Sequence, residues 1–275
     1  MKQFAKRLLI DLLEIFLLFL LVAGWGLVEN QLLSVTRISI PDSSLPQAFD
    51  GFRVAQVSDL HNTEFGKDNA RLLQKLREEK PDIIALTGDL IDCYQPDIPL
   101  ALSFAEQAMQ IAPCYFVTGN HEGRISRYRE LEEGLRSLGV IILKGESVLL
   151  EREGQSIRLL GVSDPIFGRS VDSQLTDLSG EGYSLLLSHR PELFETYCRH
   201  GISLVLTGHA HGGQFRIPFL GGVLVPNQGF FPKYDAGCFT EGQTTMYISR
   251  GLGNSIFPFR LGNPPELIIL TLTRT

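Results

Sequence analysis

The stretch LVLTGHAHGGQFRIP, residues 204–218, sets two histidines one residue apart in a Gly-rich segment with no charge before Arg216. Leu204 to Leu206 are apolar and read as a short buried strand running into a tight loop. Side chains two apart on an extended backbone share one side. On that reading His209 and His211 face together. They are either a pair of metal ligands or two exposed histidines of a polar turn, and the rest of the chain decides between them.

From Val35 onward the pattern alternates. Residues 35–40 and 52–58 read as strands, 68–79 as a helix with Asp68 as its N-cap and Pro81 beyond its end, and 82–88 as a buried strand. Residues 98–110 and 126–138 read as helices, with a strand at 114–119 between them. Strand-like runs follow at 147–150, 156–162, 183–188, 202–206, 244–249 and 266–272. A βαβα first half and a strand-rich second half predict an α/β fold, a pair of mixed sheets flanked by helices. No repeat, low-complexity tract or clear interdomain linker is visible. PDSSLPQAFDG (41–51) is the most linker-like part of 29–50.

Short polar motifs follow these apolar runs. VSDLH gives Asp59 and His61, LTGDLID gives Asp89, VTGNHE gives Asn120, His121 and Glu122, and LLSHRP gives His189. With His209 and His211, five of the six histidines lie just past a predicted strand, where α/β folds bind ligands. Each motif alone reads equally well as a turn or a cap. Together they require a common reason. Asp59, His61, Asp89, Asn120, His189, His209 and His211 offer more donors than one tetrahedral site uses, which favours two metals. An oxygen and nitrogen set without thiolate suits Mn, Fe or Zn. Two such cations clamp both oxygens of an in-line displacement at phosphorus and acidify water to hydroxide. His200 matches no motif and reads as a surface or helix-end residue.

The ordered blocks D-x-H, GD, GNH[DE], H and GHxH resemble the calcineurin-like metallophosphoesterase superfamily across residues 52 to 213. The N-terminal apolar segment, SHRPE, GHAHGGQFRIP and the tail YISRGLG with PPEL resemble its membrane-associated bacterial YkuE-like phosphodiesterase branch. The resemblance implies a four-layer α/β/β/α sandwich. It implies one metal on Asp59, His61, Asp89 and His211, and a second on Asp89, Asn120, His189 and His209. It makes His121 the residue that contacts the phosphoryl oxygens or protonates the leaving oxygen. Glu122 stands where many relatives have Asp, and is expected to orient the His121 imidazole through a hydrogen bond. Asn62, Arg124 and Arg190 flank the motifs as candidate substrate contacts, a guanidinium being a good phosphate clamp.

Bulk composition sets the frame. The 275 residues are 44% hydrophobic and 20% charged, enough for a substantial core. The net charge of −6 argues against a nucleic-acid partner. Cys93, Cys114, Cys198 and Cys238 form no CxxC pair and read as buried free thiols. Residues 8–28 are apolar except for Asp11 and Glu14, with Lys2, Lys6 and Arg7 before them and only Arg37 in the twenty residues after. That predicts a single membrane anchor over 1–30, Trp25 at its far end, and a domain outside the cytoplasm. A cleaved signal peptide and an interfacial helix are the competing readings. Residues 31–50 would hold a linker and the first strand, and 51–275 the phosphoesterase domain.

The sequence therefore predicts a membrane-anchored dinuclear phosphoesterase acting on a phosphodiester or pyrophosphate. The anchor motivates a lipid-linked substrate, and the resemblance adds nucleotide-sugar esters. No obligate protein partner is evident. A non-catalytic metal-dependent binding module is the alternative from another class, and a phosphomonoesterase or protein phosphatase the alternative within enzymes.

Overall fold

The computed structural model describes residues 2–254 and 257–275. Helix α1 (Lys2–Glu29) leads to β1 (Ser34–Pro41), β2 (Arg53–Val57), α2 (Ala70–Glu79), β3 (Ile83–Thr87), α3 (Ile98–Met109), β4 (Cys114–Val117), α4 (Tyr128–Ser137) and β5 (Ile141–Ile142). The second half runs β6 (Glu146–Arg152), β7 (Gln155–Gly161), α5 (Val171–Asp177), β8 (Ser184–Leu187), α6 (Phe194–Arg199) and β9 (Leu204–Thr207). Two short hairpins follow. One pairs β10 (Arg216–Ile217) with β11 (Gly221–Gly222), the other β12 (Leu224–Val225) with β13 (Gly229–Phe230). Strands β14 (Gly237–Glu241), β15 (Thr244–Ile248) and β16 (Glu266–Thr273) complete the order.

The strands form two six-stranded sheets, ordered β1-β16-β2-β3-β4-β5 and β14-β15-β9-β8-β7-β6. Each is mixed. In the first, β2 to β5 run parallel and β16 opposes β2. In the second, β7, β8, β9 and β15 are parallel between antiparallel edges β6 and β14.

The apolar runs explain the layers. A strand covered on both faces reads as a continuous hydrophobic run. In β3, Ile83 and Ala85 face the layer between the sheets, while Ile84 and Leu86 face α2, α3 and α4. In β8 and β9, Leu185, Leu187, Leu204 and Leu206 face that same inner layer. Leu186 and Val205 face the outer layer, with Val171 and Leu175 of α5 and Phe194 and Tyr197 of α6. Three cores between four layers give the α/β/β/α sandwich.

Differences from the sequence reading have local causes. Helices α5 and α6 have seven and six residues, too few to show a 3.6-residue period. Asp68 does not cap α2. It sits at φ 53° with no cap bond, and Asn69 Oδ1 accepts from the Phe65 amide instead. The linker-like stretch 41–51 is packed. Leu45 and Phe49 are fully buried between the sheets, and β1 pairs with β16 along its whole length. His200 ends α6 with Nε2 3.0 Å from Asp172 Oδ1. All four cysteines are free, Cys114 buried and Cys238 exposed.

Helix α1 has apolar residues all round and no domain surface over them. The segment Lys6–Glu29 is long and apolar enough to cross a membrane. At 1.5 Å per residue it spans roughly 36 Å, against a hydrocarbon core of about 30 Å. Among its described residues, those at the C-terminal end dock. Gly26 abuts Phe259 and Arg260, and the Glu29 carboxylate accepts from the amides of Gly262 and Asn263.

Candidate dinuclear metal site

Every motif leaves the C-terminal end of a central parallel strand. β2 delivers Asp59 and His61, β3 Asp89, and β4 Asn120 and His121. β8 delivers His189, and β9 delivers His209 and His211. Gln56 ties the two sheets together beside them, its Nε2 donating to Thr87 Oγ1 at 3.0 Å and Thr207 O at 2.9 Å. Five loops thus converge on one edge of the sandwich.

The loops turn sharply. Asp59, His61, Asp89, His209 and His211 all have φ between 47° and 65°. Asp, Asn and His are the side chains that best tolerate this region, yet each such residue costs about 1–3 kcal/mol. His209 and His211 therefore share a side for a different reason from the one their spacing suggests. They are not extended. Two left-handed residues flank a right-handed Ala210 and turn the chain back on itself. Glycine precedes three ligand candidates because those candidates pack against one another. A Cβ on Gly119 would fall inside the Asp89 carboxylate, and one on Gly208 inside that of Asp59.

The donors gather in two groups. Asp59, His61 and His211 form one, and Asp89, His189 and His209 the other, all buried. In the first, His211 Nε2 lies 3.3 Å from Asp59 Oδ1 and 3.1 Å from His61 Nε2. In the second, His189 Nε2 lies 3.2 Å from Asp89 Oδ2. The same oxygen is 3.7 Å from His61 Nε2, so Asp89 stands between the groups. The His189 ring is fixed by Nδ1, 2.9 Å from Thr87 O. His209 Nε2 accepts from Arg190 Nη1 at 2.8 Å and from Asn227 Nδ2 at 3.2 Å, which fixes the ring.

Two observations test the fit to cations. Asn120 Oδ1 is buried without a hydrogen-bond partner, and such orphans are rare in folded proteins. The charges also conflict. Burial raises the Asp59 carboxyl above its ordinary value, with the Asp89 charge adding to the rise. Burial also pushes Asp89 up, but the charge and contact of His189 outweigh it and hold Asp89 well below the usual range. Burial lowers His189, and Asp89 and Asp59 then carry it up to about 10. Burial holds His209 and His211 well below the imidazole range, hence neutral. Positive charge between the carboxylates relieves all of this, and the residues present fit a pair of divalent cations.

His121 stands at the mouth. Its Nδ1 accepts from the Cys93 amide at 3.0 Å, so any proton it carries sits on Nε2. Burial lowers its pKa to about 4. Glu122 does not touch this imidazole. Its carboxylate accepts from the amides of Gly119 at 2.7 Å, Leu90 at 2.8 Å and Asp89 at 2.9 Å, with Ile91 at 3.4 Å. The expected bond to His121 is absent because both oxygens are taken. Glu122 clasps the turn that presents Asp89, and burial raises it to about 7. The carboxylate facing His121 is Asp92, with Oδ2 3.6 Å from His121 Nδ1 and 3.7 Å from His61 Nδ1. Asp92 belongs to no ligand motif, and its sequence signal is only its place three residues after Asp89.

Two of the three candidate substrate contacts are already spent. Asn62 Oδ1 accepts from the amides of Asp92 and Asp97, and Nδ2 donates to Asp97 O, so it shapes the 92–97 loop. Arg190 makes a fork to both carboxylate oxygens of buried Asp164 and braces His209. A buried carboxylate demands such a partner, and Asp164 lies too far away in sequence to be read. Arg124 is exposed. It lines a cleft of about 120 Å³ with Tyr94, Asn120, His121, His209 and Asn227. Tyr94 and Asn227 were not legible either, both being exposed loop residues without a motif.

The tail closes the site from behind. The amides of Leu252 and Gly253 donate to Ser58 O and Asp59 O. Arg260, fully buried, donates to the carbonyls of Arg250 and Gly253 and to Asn254 Oδ1. Asn263 Nδ2 donates to His211 O at 2.7 Å, while its amide donates to Glu29 of α1.

Comparison with known proteins agrees with this geometry. Residues 52–213 match the model of the calcineurin-like phosphoesterase family. The chain is 30% identical over 271 residues to the uncharacterized metallophosphoesterase YkuE of Bacillus subtilis, covering 93% of this chain and 92% of that protein. It is 30% identical over 272 residues to a transmembrane protein with metallophosphoesterase domain of Danio rerio, covering 91% of this chain but 60% of that longer protein. It is 27% identical over 229 residues to phosphodiesterase YaeI of Escherichia coli, covering 80% and 82%. With the sandwich, the converging loops and the two donor groups in place, the chain belongs to the calcineurin-like phosphoesterase family and is a metallophosphoesterase.

Proposed function

We propose that this enzyme hydrolyses phosphodiesters at a membrane, with a cation in each donor group. The observation that carries the reading is the position of Asp89 Oδ2, within 4 Å of imidazoles from both groups. Asp59, His61, Asp89 and His211 would hold one cation, and Asp89, Asn120, His189 and His209 the other. Such a pair supplies Lewis-acid stabilisation of both the attacking and leaving oxygens in an in-line displacement by water. His121 Nε2–H is the hydrogen-bond donor to the phosphoryl oxygens, held outward by the Cys93 amide on Nδ1. Arg124 and Tyr94 line the approach. The name of the Escherichia coli relative supports a diester over a monoester. Manganese, iron and zinc all suit the donor set.

The helix α1 and the name of the Danio rerio relative support membrane anchoring. The basic residues in the first turns of α1 favour a domain outside the cytoplasm. Protease added to intact cells should then digest the domain, and protection would reverse the orientation.

The test of activity is hydrolysis of a chromogenic phosphodiester, with the monoester beside it, by the full chain in detergent. Turnover should vanish on chelation and return with Mn²⁺. His121→Ala should lower it by about 10²–10⁴-fold with two cations still bound. Two bound cations without hydrolysis of either ester would instead make the protein a metal-dependent binding module.

A further inference from the structure

We propose that the apolar cavity beside His211 is a subsite for one hydrocarbon chain of the substrate, making the substrate a lipid phosphodiester. The inference rests on the phosphodiesterase reading above and deepens it.

The cavity holds about 520 Å³ and is walled by Phe215, Val223, Leu224, Val225, Phe230 and Phe257 among the described residues. That volume lies within the roughly 300–1,000 Å³ of small-molecule sites. It adjoins the metal-site cleft, since His211, Pro226 and Asn227 border both. A ligand with its phosphorus at the cations therefore reaches the cavity through its adjoining substituent.

The lining selects the substituent. The side-chain donors of Gln214 and Asn227 on the wall are occupied elsewhere. Gln214 Nε2 donates to the carbonyls of Phe257 at 3.1 Å and Phe259 at 2.9 Å. Asn227 Nδ2 reaches His209 and Glu192. A sugar or a base placed here would lose its water and find few partners, at a cost of about 1–3 kcal/mol per unpaired group. A hydrocarbon loses nothing.

The surroundings say where such a chain comes from. Glu29, the last residue of α1, holds the amide of Asn263, and Asn263 holds the carbonyl of His211. The site therefore lies two hydrogen bonds from the end of the membrane helix. The β10–β11 hairpin starts from the same place, the Arg216 amide donating to Leu261 O next to Gly262. Phe230 on the cavity wall is exposed, and the same hairpin segment exposes Phe219, Leu220 and Phe231, Phe219 completely. Large exposed apolar residues concentrated in one segment suit an interaction site, and beside a membrane helix the apolar phase they meet is the bilayer.

The test compares p-nitrophenyl alkyl phosphodiesters from methyl to octyl, using the full chain in nanodiscs, for wild type and Leu224→Trp. A fully buried methylene is worth up to about fourfold in kcat/KM. Wild type should gain up to that factor per carbon over the first several carbons. Leu224→Trp fills the cavity from a half-exposed position and should flatten the series while keeping the methyl ester within about twofold. Phe230→Ser, at the exposed lip, should flatten it in part. A flat series in wild type overturns the subsite while leaving the phosphodiesterase reading intact. So does a rise that survives in Leu224→Trp, which would place the chain in the bilayer or elsewhere. Calorimetric binding of ethyl to octyl phosphonate to the Mn²⁺-loaded protein gives the answer without turnover. Affinity independent of chain length there overturns the subsite even if no ester is hydrolysed.

Discussion

The two donor groups differ in what stands behind them. In the group of Asp89, His189 and His209, both rings are braced from outside, His189 by Thr87 O and His209 by Arg190 and Asn227. In the group of Asp59, His61 and His211, both outer nitrogens lack a hydrogen bond, and Asp92 is still 3.7 Å from His61 Nδ1. Outer partners fix ring orientation, and losing one costs typically about 10–100-fold in metal affinity. The comparison teaches that a symmetric-looking ligand set can contain one pre-organised half and one that the cation must organise. The braced group should fill first.

The largest expected effect comes from removing what the halves share. Asp89→Ala should leave at most one cation bound and lower turnover by more than the roughly 10²–10⁴-fold expected for His121→Ala. Metal content by elemental analysis, read with turnover, decides it. Two cations and undiminished turnover in this variant would end the shared-ligand picture.

A smaller effect should separate the halves. Arg190→Lys keeps the charge but loses the fork to Asp164 and the brace on His209. One of the two cation affinities measured by calorimetry should fall about 10–100-fold while the other stays. Equal weakening of both would show that the bracing is not what distinguishes them.

The pH dependence follows from His189. In the metal-free protein its pKa is raised to about 10, above an unfolded value of about 6.5. The stability it contributes is present in full below pH ~6.5 and is lost as pH rises through about 10. The proton on Nε2 must leave for a cation to bind. Near neutral pH the braced group should therefore release about one proton per cation, with affinity rising roughly tenfold per pH unit. Calorimetry in buffers of different ionisation enthalpy counts that proton, and a count of zero would remove His189 from the ligand set.

These differences follow what a sequence can carry. The ligand candidates were legible because each lies within a few residues of a strand end, and strand ends on parallel sheets are local signals. Asp89 and Asn120 need only the apolar run before them. The bracing was not legible. Arg190 is 26 residues from Asp164 and Asn227 is 18 from His209, and nothing in the intervening chain marks either contact. The hairpins over 214–231 escaped notice because two-residue strands carry no period. Helix α1 was plain from composition alone, but the hydrogen bonds from Glu29 toward His211 depend on how the tail returns.

Glu122 is the sharpest case, since the same residue allows two roles with opposite signatures. If it oriented His121, Glu122→Gln would lower turnover with little change in stability. The structure puts its carboxylate on four backbone amides, an acceptor task that a carboxamide fills only halfway. The NH₂ of Gln would face N–H donors and leave some of them unpaired, at about 1–3 kcal/mol. Thermal stability should therefore fall while kcat of the metal-loaded enzyme stays within a few-fold. A second signature follows from burial, which raises Glu122 to about 7 in the folded chain, against an unfolded value near 4.3. The native state then holds a proton that the unfolded chain gives up, and stability falls as pH rises from about 4.3 through about 7. Glu122→Gln should erase that slope, read from melting curves across the window. A variant that melts like wild type but has lost turnover would return Glu122 to the imidazole and leave the Asp89 turn to hold itself.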